Sequence, residues 1–211
     1  MVTLTLVEQA TVATYDEIAS TYAAHEPEIG LDPDDFDKPL SSFCAALALR
    51  SRIIDIGCGA GRAIPFLRRH GGTKYVGIDP SIRMIAEAHA RFPAEQFHVQ
   101  SLGHLRSLFP PETFEAFFAN ASLMHVPRDR MTEALRTIRA VLKRGGFGFI
   151  SVPCGEETTV HNSIYGIRTT STVTVHQWTD NSLRPHILKS RMDIMSYSEE
   201  DGLLNMLVQC I

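Results

Sequence analysis

The sequence predicts an α/β fold, with a mostly parallel sheet and a single domain over residues 1–211. Three observations support this prediction. Short apolar runs alternate with amphipathic segments as far as Pro153, a glycine-rich turn follows the first run, and two further apolar runs close the chain. Such alternation is typical of βαβ units. Ligands of parallel sheets bind at the carboxyl ends of the strands, so the glycine-rich turn marks the expected site.

Residues 1–50 are expected to form a helical cap segment. The first helix is predicted from about Val7 to Ala24, and a second, shorter helix from Leu40 to Leu49. Between them lies the acidic, proline-bearing stretch "HEPEIGLDPDDFDKPL", which indicates a loop.

Five strands are predicted as apolar runs bounded by turn residues. They are "RIIDIG", "KYVGID", "EQFHVQS", "TFEAFFAN" and "FGFISVP". Helices are expected over "AIPFLRRHGG", which ends in glycines, and over "PSIRMIAEAHARF", where Ser81 follows Pro80 as the N-cap. Apolar residues at spacings of three and four predict another helix from Arg128 to Leu142, ending at "KRGG".

The last third has a different pattern. Residues 154–178 are rich in Thr and Ser and alternate near Ser171–Trp178, which indicates an edge strand or a flap. A helix is expected from Asp180 to Lys189 although Pro185 lies inside it. The runs "MDIMSYS" and "LNMLVQC" predict an antiparallel β-hairpin that completes the sheet.

Composition restricts the class of protein. The chain has 211 residues, of which 44% are hydrophobic, and a net charge of −4, so no overall basic field would attract nucleic acid. Its four cysteines form no CxxC pair and its nine histidines show no HExxH spacing, so neither disulfides nor a metal site are expected. No apolar run approaches the roughly 20 residues that span a bilayer. We therefore expect a soluble, cytoplasmic protein without membrane partners; its oligomeric state is left open.

The glycine-rich turn contains Gly57, Gly59 and Gly61, a GxGxG pattern. A dinucleotide-binding fingerprint requires GxGxxG, and its third glycine would fall on Arg62. Asp55 directly precedes the turn, and a carboxylate there would repel a pyrophosphate. A ligand with positive charge and no phosphate is favoured instead, and S-adenosylmethionine (SAM) is such a ligand.

Asp79 lies at the end of the second predicted strand, 18 residues after Gly61. An acid about 20 residues beyond a glycine loop is the usual partner of ribose hydroxyls. SAM and NAD both contain ribose, so Asp79 indicates nucleoside binding without choosing between them.

Four successive segments carry a family resemblance. "IIDIGCGAGR", "YVGIDPSIRMIAEAHAR", "ANASLMHVPRD" and "ALRTIRAVLKRGGFGFISVP" resemble the motifs of class I SAM-dependent methyltransferases. The small-molecule group that includes quinone-biosynthesis enzymes is the most similar, and "YDEIASTYAAH" resembles its opening helix. The resemblance covers roughly Tyr15–Pro153. It implies a Rossmann-like, doubly wound sheet of seven strands with helices on both faces, and methyl transfer from SAM to a small-molecule O, N or C nucleophile, with S-adenosylhomocysteine (SAH) as product.

The resemblance also implies residue roles. The glycine loop would contact the methionine part of SAM, Asp79 the ribose, and Pro80 would lie near the adenine. Ser101 and Leu102 would grip the adenine edge, although the family usually has an acid where Ser101 stands, and Asn120 with Ala121 would line the sulfonium side. The implied cofactor-binding residues are Tyr15, Tyr22, Asp55, Gly57, Cys58, Gly59, Gly61, Asp79, Pro80, Ser101, Leu102, Asn120 and Ala121.

His125 is the candidate general base, because histidine suits proton transfer near neutral pH. Plainer interpretations remain at several of these positions. His125 is also explained as a hydrogen-bonding residue of its loop, and Ser101 as a helix cap. Tyr15 and Tyr22 lie seven residues apart, so core packing explains them as well as cofactor cover.

Other functions remain open. An NAD-dependent oxidoreductase is disfavoured by Asp55 and by the lack of GxGxxG. A protein that binds SAM without catalysis is supported mainly by Ser101. An RNA or protein acceptor is disfavoured by the acidic balance of the chain.

Overall fold

A computed structural model describes residues 4–25, 38–47, 51–71, 74–164 and 166–211. The helices are α1 (Leu6–His25), α2 (Lys38–Ala46), α3 (Ile64–Arg69), α4 (Ile82–Arg91), α5 (Leu105–Leu108), α6 (Met131–Arg139) and α7 (Asp180–Lys189). The strands are β1 (Arg52–Ile56), β2 (Lys74–Asp79), β3 (Gln96–Val99), β4 (Phe114–Asn120), β5 (Leu142–Pro153), β6 (Thr158–Ile164), β7 (Ile167–His176), β8 (Met192–Glu200) and β9 (Leu203–Cys210).

The main sheet has seven strands in the order β3-β2-β1-β4-β5-β9-β8. The first five run parallel, and β9 pairs antiparallel with both β5 and β8. The predicted α/β class, the mostly parallel sheet and the C-terminal hairpin are therefore confirmed. Strand order reverses beside β1, so β1 and β4 leave a crevice at their carboxyl ends, where parallel sheets bind ligands.

Helices cover both faces of the sheet because successive strand residues point to opposite sides. Ile54 packs with the residues of α6 and α7, whereas its neighbour Ile53 packs with those of α2, α3 and α4. Both side chains are fully buried. Strands buried on both faces explain why β1 and β2 appear in the sequence as continuous apolar runs.

The structure corrects one predicted helix. The expected helix from Arg128 to Leu142 is α6, which covers only Met131–Arg139 and follows a 3₁₀ turn at Arg128–Arg130. Leu142 already pairs with Phe114 in the sheet, so "KRGG" lies inside β5. The pairing shifts register between Phe114 and Ala116, and Gly145 has a φ of 69°. A bulge therefore absorbs the glycines that the sequence indicated as a helix end.

The other elements agree with the sequence more closely. Ser81 caps α4 by accepting a hydrogen bond from the Met84 N–H, as predicted. Helix α7 forms despite Pro185, with Thr179 and Ser182 making a capping box at its start. The second predicted helix corresponds to α2, although residues 48–50 lie outside the described residues, as does most of the acidic loop, residues 26–37.

The Thr-rich region forms a separate two-stranded hairpin of β6 and β7. The predicted alternation over Ser171–Trp178 thus corresponds mainly to β7, paired outside the main sheet. Among the helices in the described part of the chain, none has the length and hydrophobicity needed to cross a membrane.

Candidate active site

A large cleft opens at the carboxyl ends of β1, β2 and β4 and is covered by α1. Its volume is about 1110 Å³ counted together with the solvent at its mouth. The sequence-predicted residues on its wall are Tyr15, Tyr22, Gly57, Cys58, Gly59, Asp79, Pro80, Ser101, Leu102, Asn120, Ala121 and His125.

The glycine loop is bound to the end of β2. The N–H groups of Gly57 and Cys58 both donate to the carbonyl of Ile78, at 2.8 and 3.0 Å. Gly57 has a φ of 69°, and a Cβ there would lie 2.4 Å from Cβ of Ser122. A Cβ at Gly59 would meet nothing within 4 Å, because that position faces open space. Gly57 is therefore required by packing, and Gly59 leaves room for a ligand to approach the backbone.

The structure does not bring two of the predicted residues, Asp55 and Gly61, to the cleft wall. The carboxylate of Asp55 is buried and accepts a hydrogen bond of 2.7 Å from the Tyr75 hydroxyl. A Cβ at Gly61 would lie 2.9 Å from the Ile64 side chain, so this glycine permits close packing of the loop on α3. Asp55 thus has an interior position. Burial raises the pKa of the nearby Cys58 thiol, and the charges of Asp79 and Asp55 raise it as well.

Asp79 holds the loop and the start of α4 together. Its two carboxylate oxygens accept hydrogen bonds from the backbone N–H groups of Gly59, at 3.0 Å, and Ser81, at 2.8 Å. Burial raises the pKa of Asp79 to about 6, against the effect of these two hydrogen bonds. The nearby carboxylate of Asp16 contributes to this raised pKa. A ligand that donates hydrogen bonds to Asp79 would favour its ionised form.

Ser101 lies on the cleft wall at the start of a 3₁₀ turn, Leu102–His104. Its side chain does not cap that turn, and its hydroxyl lies 3.2 Å from Nδ1 of His104. Gln100 also lines the cleft, and its side-chain oxygen accepts from the Ser101 N–H at 3.0 Å. The helix-cap interpretation of Ser101 is therefore not supported by its contacts.

Tyr15, His125 and Thr174 form a hydrogen-bonded chain across three elements. The Tyr15 hydroxyl lies 3.0 Å from Nε2 of His125, and Nδ1 of His125 lies 2.8 Å from the carbonyl oxygen of Thr174. The two rings meet edge to face at a centroid distance of 5.4 Å. Burial lowers the pKa of His125 to about 4. Helix α1, the turn after β4 and strand β7 are thus connected at one place on the cleft wall.

Sequence reasoning missed several wall residues of α1. Leu4, which precedes the helix, lines the cleft, and so do Glu8, Thr11 and Val12 on the face of α1 that carries Tyr15 and Tyr22. Their spacing of three, four and seven places them on one helical face, which is the signal that could have revealed them. Arg62 also lines the cleft, beside the glycine loop.

Helix α1 is held in place from both sides. Glu17 accepts hydrogen bonds from the backbone N–H of Thr170 at 2.8 and 3.0 Å and from its hydroxyl at 2.7 Å. On the other side, Asp16 accepts from the Ser81 hydroxyl at 2.6 Å. The helix therefore bridges the β6–β7 hairpin and the start of α4.

The histidines and the tryptophan of the Thr-rich region, His161, His176 and Trp178, do not line the cleft. Trp178 is buried beneath the guanidinium of Arg128.

The sheet order and the glycine-loop cleft are typical of nucleoside-binding α/β folds. Sequence comparison shows which proteins of this class the chain resembles. Residues 53–146 match the model of a family described as a methyltransferase domain. A trans-aconitate 2-methyltransferase of Afipia carboxidovorans is 35% identical over 103 residues, which are 48% of this chain and 38% of the relative. The same enzyme of Methylobacterium nodulans is 30% identical over 131 residues, 61% of this chain and 49% of the relative. The chain thus spans half or less of the length of these curated relatives.

Solved structures share the fold over nearly the whole chain. The complex of DhpI with SAM and HEP has a TM-score of 0.72 at 18% identity, covering 98% of this chain and 99% of that one. A 1,6-didemethyltoxoflavin-N1-methyltransferase of Burkholderia thailandensis, solved with its acceptor and SAH, has a TM-score of 0.64 at 16% identity, covering 100% and 92%. Residues 53–146 of this chain thus match a methyltransferase domain, and the chain shares its fold with a solved SAH-bound methyltransferase.

Proposed function

We propose that this protein binds SAM in the cleft and transfers its methyl group to a small-molecule acceptor. The observation that carries the proposal is the meeting of four separate sequence segments on one wall. The glycine loop, Asp79, the turn at Ser101 and the end of β4 at Asn120 all line the same cleft. Each segment follows a different parallel strand, so only this fold brings them together.

The contacts of the loop support a nucleoside with an amino-acid tail. Gly59 leaves its backbone open to a ligand, and Asp79 offers carboxylate oxygens to ribose hydroxyls. We assign the methionine part to the glycine loop with Cys58, the adenine to Pro80, Ser101 and Leu102, and the sulfonium side to Asn120 and Ala121. Tyr15 and Tyr22 would cover the ligand from α1, where their rings meet edge to face at 6.2 Å.

The positive charge of SAM gives Asp55 a role that needs no contact. A buried carboxylate is poorly screened, so it attracts a cation over several ångströms. Asp55 lies at the end of β1 with its charge held in place by Tyr75. We propose that it makes the loop region favourable for the ligand's cationic part and unfavourable for a pyrophosphate, which also argues against an NAD-dependent oxidoreductase.

SAM supplies a methyl group already activated on a sulfonium, so the protein's main task is alignment. Holding a nucleophile in line with the methyl group lowers a barrier by roughly 7–11 kcal/mol. Helix α1 and the β6–β7 hairpin, joined through Glu17 and Thr170, are the elements we propose to enclose the acceptor. Residues 1–50 then act as a cap, and residues 154–178 as an acceptor-side insertion, on the single domain of residues 1–211.

The proposed partners are small molecules, not nucleic acid, consistent with the net charge of −4. All four cysteines are free thiols in the structure. Free thiols are usual in reducing compartments, which supports a cytoplasmic location.

The test is calorimetry with SAH, SAM and NAD, followed by an assay of labelled methyl transfer from SAM to a panel of small molecules. We expect SAH and SAM to bind with micromolar dissociation constants and NAD not to compete. NAD binding without SAH binding would overturn the proposal in favour of an oxidoreductase. SAH binding without methyl transfer to any acceptor would instead support a SAM-binding protein that is not an enzyme.

A further inference from the structure

The polarity of the Tyr15–His125–Thr174 chain follows from its last member. The carbonyl oxygen of Thr174 has no hydrogen, so it accepts, and Nδ1 of His125 must donate to it across 2.8 Å. A neutral imidazole carries one N–H, so Nε2 presents a lone pair. The Tyr15 hydroxyl, 3.0 Å from Nε2, therefore donates its hydrogen to His125.

This polarity persists at neutral pH. Burial keeps the pKa of His125 near 4, and His176 on β7 lowers it as well. The hydroxyl hydrogen of Tyr15 is directed at His125, and the residue lines the cleft. Any further hydrogen bond made at the Tyr15 oxygen must come from a donor.

We propose that the acceptor binds by donating the proton of its nucleophilic atom to the Tyr15 hydroxyl oxygen. The acceptor is then a hydroxyl or N–H compound, not a carboxylate. The inference rests on the proposed methyl transfer and names the chemical class of its acceptor. Tyr15 is the residue that touches the acceptor, and His125 positions the Tyr15 hydroxyl and receives its proton.

A carboxylate nucleophile does not suit this arrangement. At neutral pH it carries only lone pairs, which would face the lone pairs of the Tyr15 oxygen. Turning the Tyr15 hydrogen toward the carboxylate would leave Nε2 of His125 enclosed without a donor, which is costly. The site therefore discriminates by hydrogen-bond polarity against acceptors of the kind named for the curated relatives, because trans-aconitate offers carboxylates.

The proton transfer is balanced. As the acceptor's oxygen or nitrogen forms its bond to the methyl carbon, the carbon–sulfur bond breaks and its electron pair stays on sulfur. The acceptor's proton passes to the Tyr15 oxygen, and the Tyr15 proton passes to Nε2 of His125. The positive charge that leaves sulfur ends on the imidazolium, so the charge of the site is unchanged. Loss of that proton to solvent restores His125, which its low pKa favours.

The first experiment determines which ring nitrogen of His125 carries the proton, and it requires no catalytic turnover. Nitrogen-15 NMR of the histidine side chains at neutral pH distinguishes protonated from unprotonated ring nitrogens, and His125→Asn identifies the resonances. We expect Nδ1 of His125 to be protonated and Nε2 to be unprotonated. Protonation at Nε2 would overturn the inference, whether or not SAH binds.

The second experiment compares matched probes in the presence and absence of SAH. Methyl 4-hydroxybenzoate carries a donor hydroxyl, methyl 4-methoxybenzoate lacks it, and trans-aconitate offers carboxylates. We expect the hydroxyl probe to bind about tenfold more tightly than its methoxy analogue, as one hydrogen bond provides. Tighter binding of trans-aconitate, or no preference for the hydroxyl, would overturn the inference. Failure of SAH to bind would remove the proposed function but still leave this preference measurable.

Tyr15→Phe removes the oxygen and keeps the ring. We expect it to abolish the preference for the hydroxyl probe, because the oxygen that accepts the hydrogen bond is gone. Tyr197→Phe is the control, because Tyr197 is exposed on β8, where Arg184 lies over its ring at 5.5 Å. A preference that survives in Tyr15→Phe would contradict the assignment of Tyr15, and a purely structural role would weaken all probes alike.

Discussion

The hydroxyl oxygen of Tyr15 lies 3.0 Å from Nε2 of His125, although 110 residues separate them in the chain. The contact joins the face of α1 to the turn after β4, and Thr174 extends it to the β6–β7 hairpin. The cap helix, the sheet and the hairpin therefore meet at one place on the cleft wall. Disturbing any one of the three elements should disturb the same part of the site.

The ionisation of Asp79 should control cofactor affinity. Burial raises its pKa to about 6, and ribose hydroxyls need the ionised form as acceptor. We expect SAH to bind roughly tenfold more weakly at pH 5 than at pH 7, because each pH unit below the pKa reduces the ionised fraction about tenfold. Calorimetry across this range provides the measurement.

Asp79→Asn is the companion variant. An amide cannot ionise, so its SAH affinity should be lower at pH 7 and show no inflection near pH 6. Asp193→Asn, at an exposed position on β8, is the control and should behave as the wild type. An unchanged inflection in Asp79→Asn would assign the titration to another group.

Gly57 and Gly59 should separate folding from binding. Gly57→Ala places a Cβ 2.4 Å from Ser122, so we expect the loop to shift and thermal stability to fall. Gly59→Ala meets nothing within 4 Å, so its cost to the ligand-free protein is the positive-φ strain of about 1–2 kcal/mol. Its methyl group would occupy the space proposed for SAM, and SAH affinity should fall at least tenfold.

The measurements are melting temperature and SAH calorimetry on both variants. Gly202→Ala is the control, since it has a φ of 74° and open space around its Cβ but lies in the β8–β9 turn. It should show the strain cost with normal SAH affinity. Unchanged SAH affinity in Gly59→Ala would contradict the placement of the ligand over the loop.

His125 should titrate far below the usual range of histidine. Its pKa is lowered to about 4, mainly by burial and also by His176 on β7, while the hydrogen bond with Thr174 opposes them. A histidine whose pKa is lower in the folded state than in the unfolded chain stabilises the fold at pH values above the usual histidine pKa. That stabilisation is lost as the pH falls from about 6.5 toward 4.

An NMR titration of the His125 ring, assigned with His125→Asn, checks this expectation. Asp79 acts with the opposite sign, because its raised pKa favours folding at low pH and this contribution is lost as the pH rises through about 6. Comparing the stability of His125→Asn and Asp79→Asn between pH 4 and 7 separates the two effects. A His125 inflection at the usual value would show that the ring is exposed to solvent.

The hydrogen bonds between Glu17 and Thr170 should hold the hairpin against α1. Glu17→Ala removes the acceptor of three hydrogen bonds. We expect faster amide hydrogen exchange in β6 and β7 and weaker acceptor binding, with the main sheet unaffected. Glu200→Ala, at an exposed position at the end of β8, is the control. Equal exchange in the two variants would show that the hairpin is held by its other contacts.

Much of the fold follows from local sequence pattern. The runs that became β1, β2 and β4 are apolar because helices cover both faces of the sheet, and the caps at Ser81 and Thr179 begin their helices by contacts within four residues. The prediction of a helix end at "KRGG" was wrong because glycines are common both after helices and in β-bulges. Only the pairing of Leu142 with Phe114, a long-range contact, selects the bulge.

The sequence by itself determined the strand-and-helix order, the glycine loop and the candidate residues at the strand ends, because these depend on periodicity and on backbone requirements within a few residues. The tertiary structure alone decided which candidates share the cleft. Asp55 turns inward to Tyr75, whereas Arg62 and the α1 face line the wall. It also decided the polarity of His125, since the partner that fixes its proton is a backbone carbonyl 49 residues away, and every residue type carries such a carbonyl.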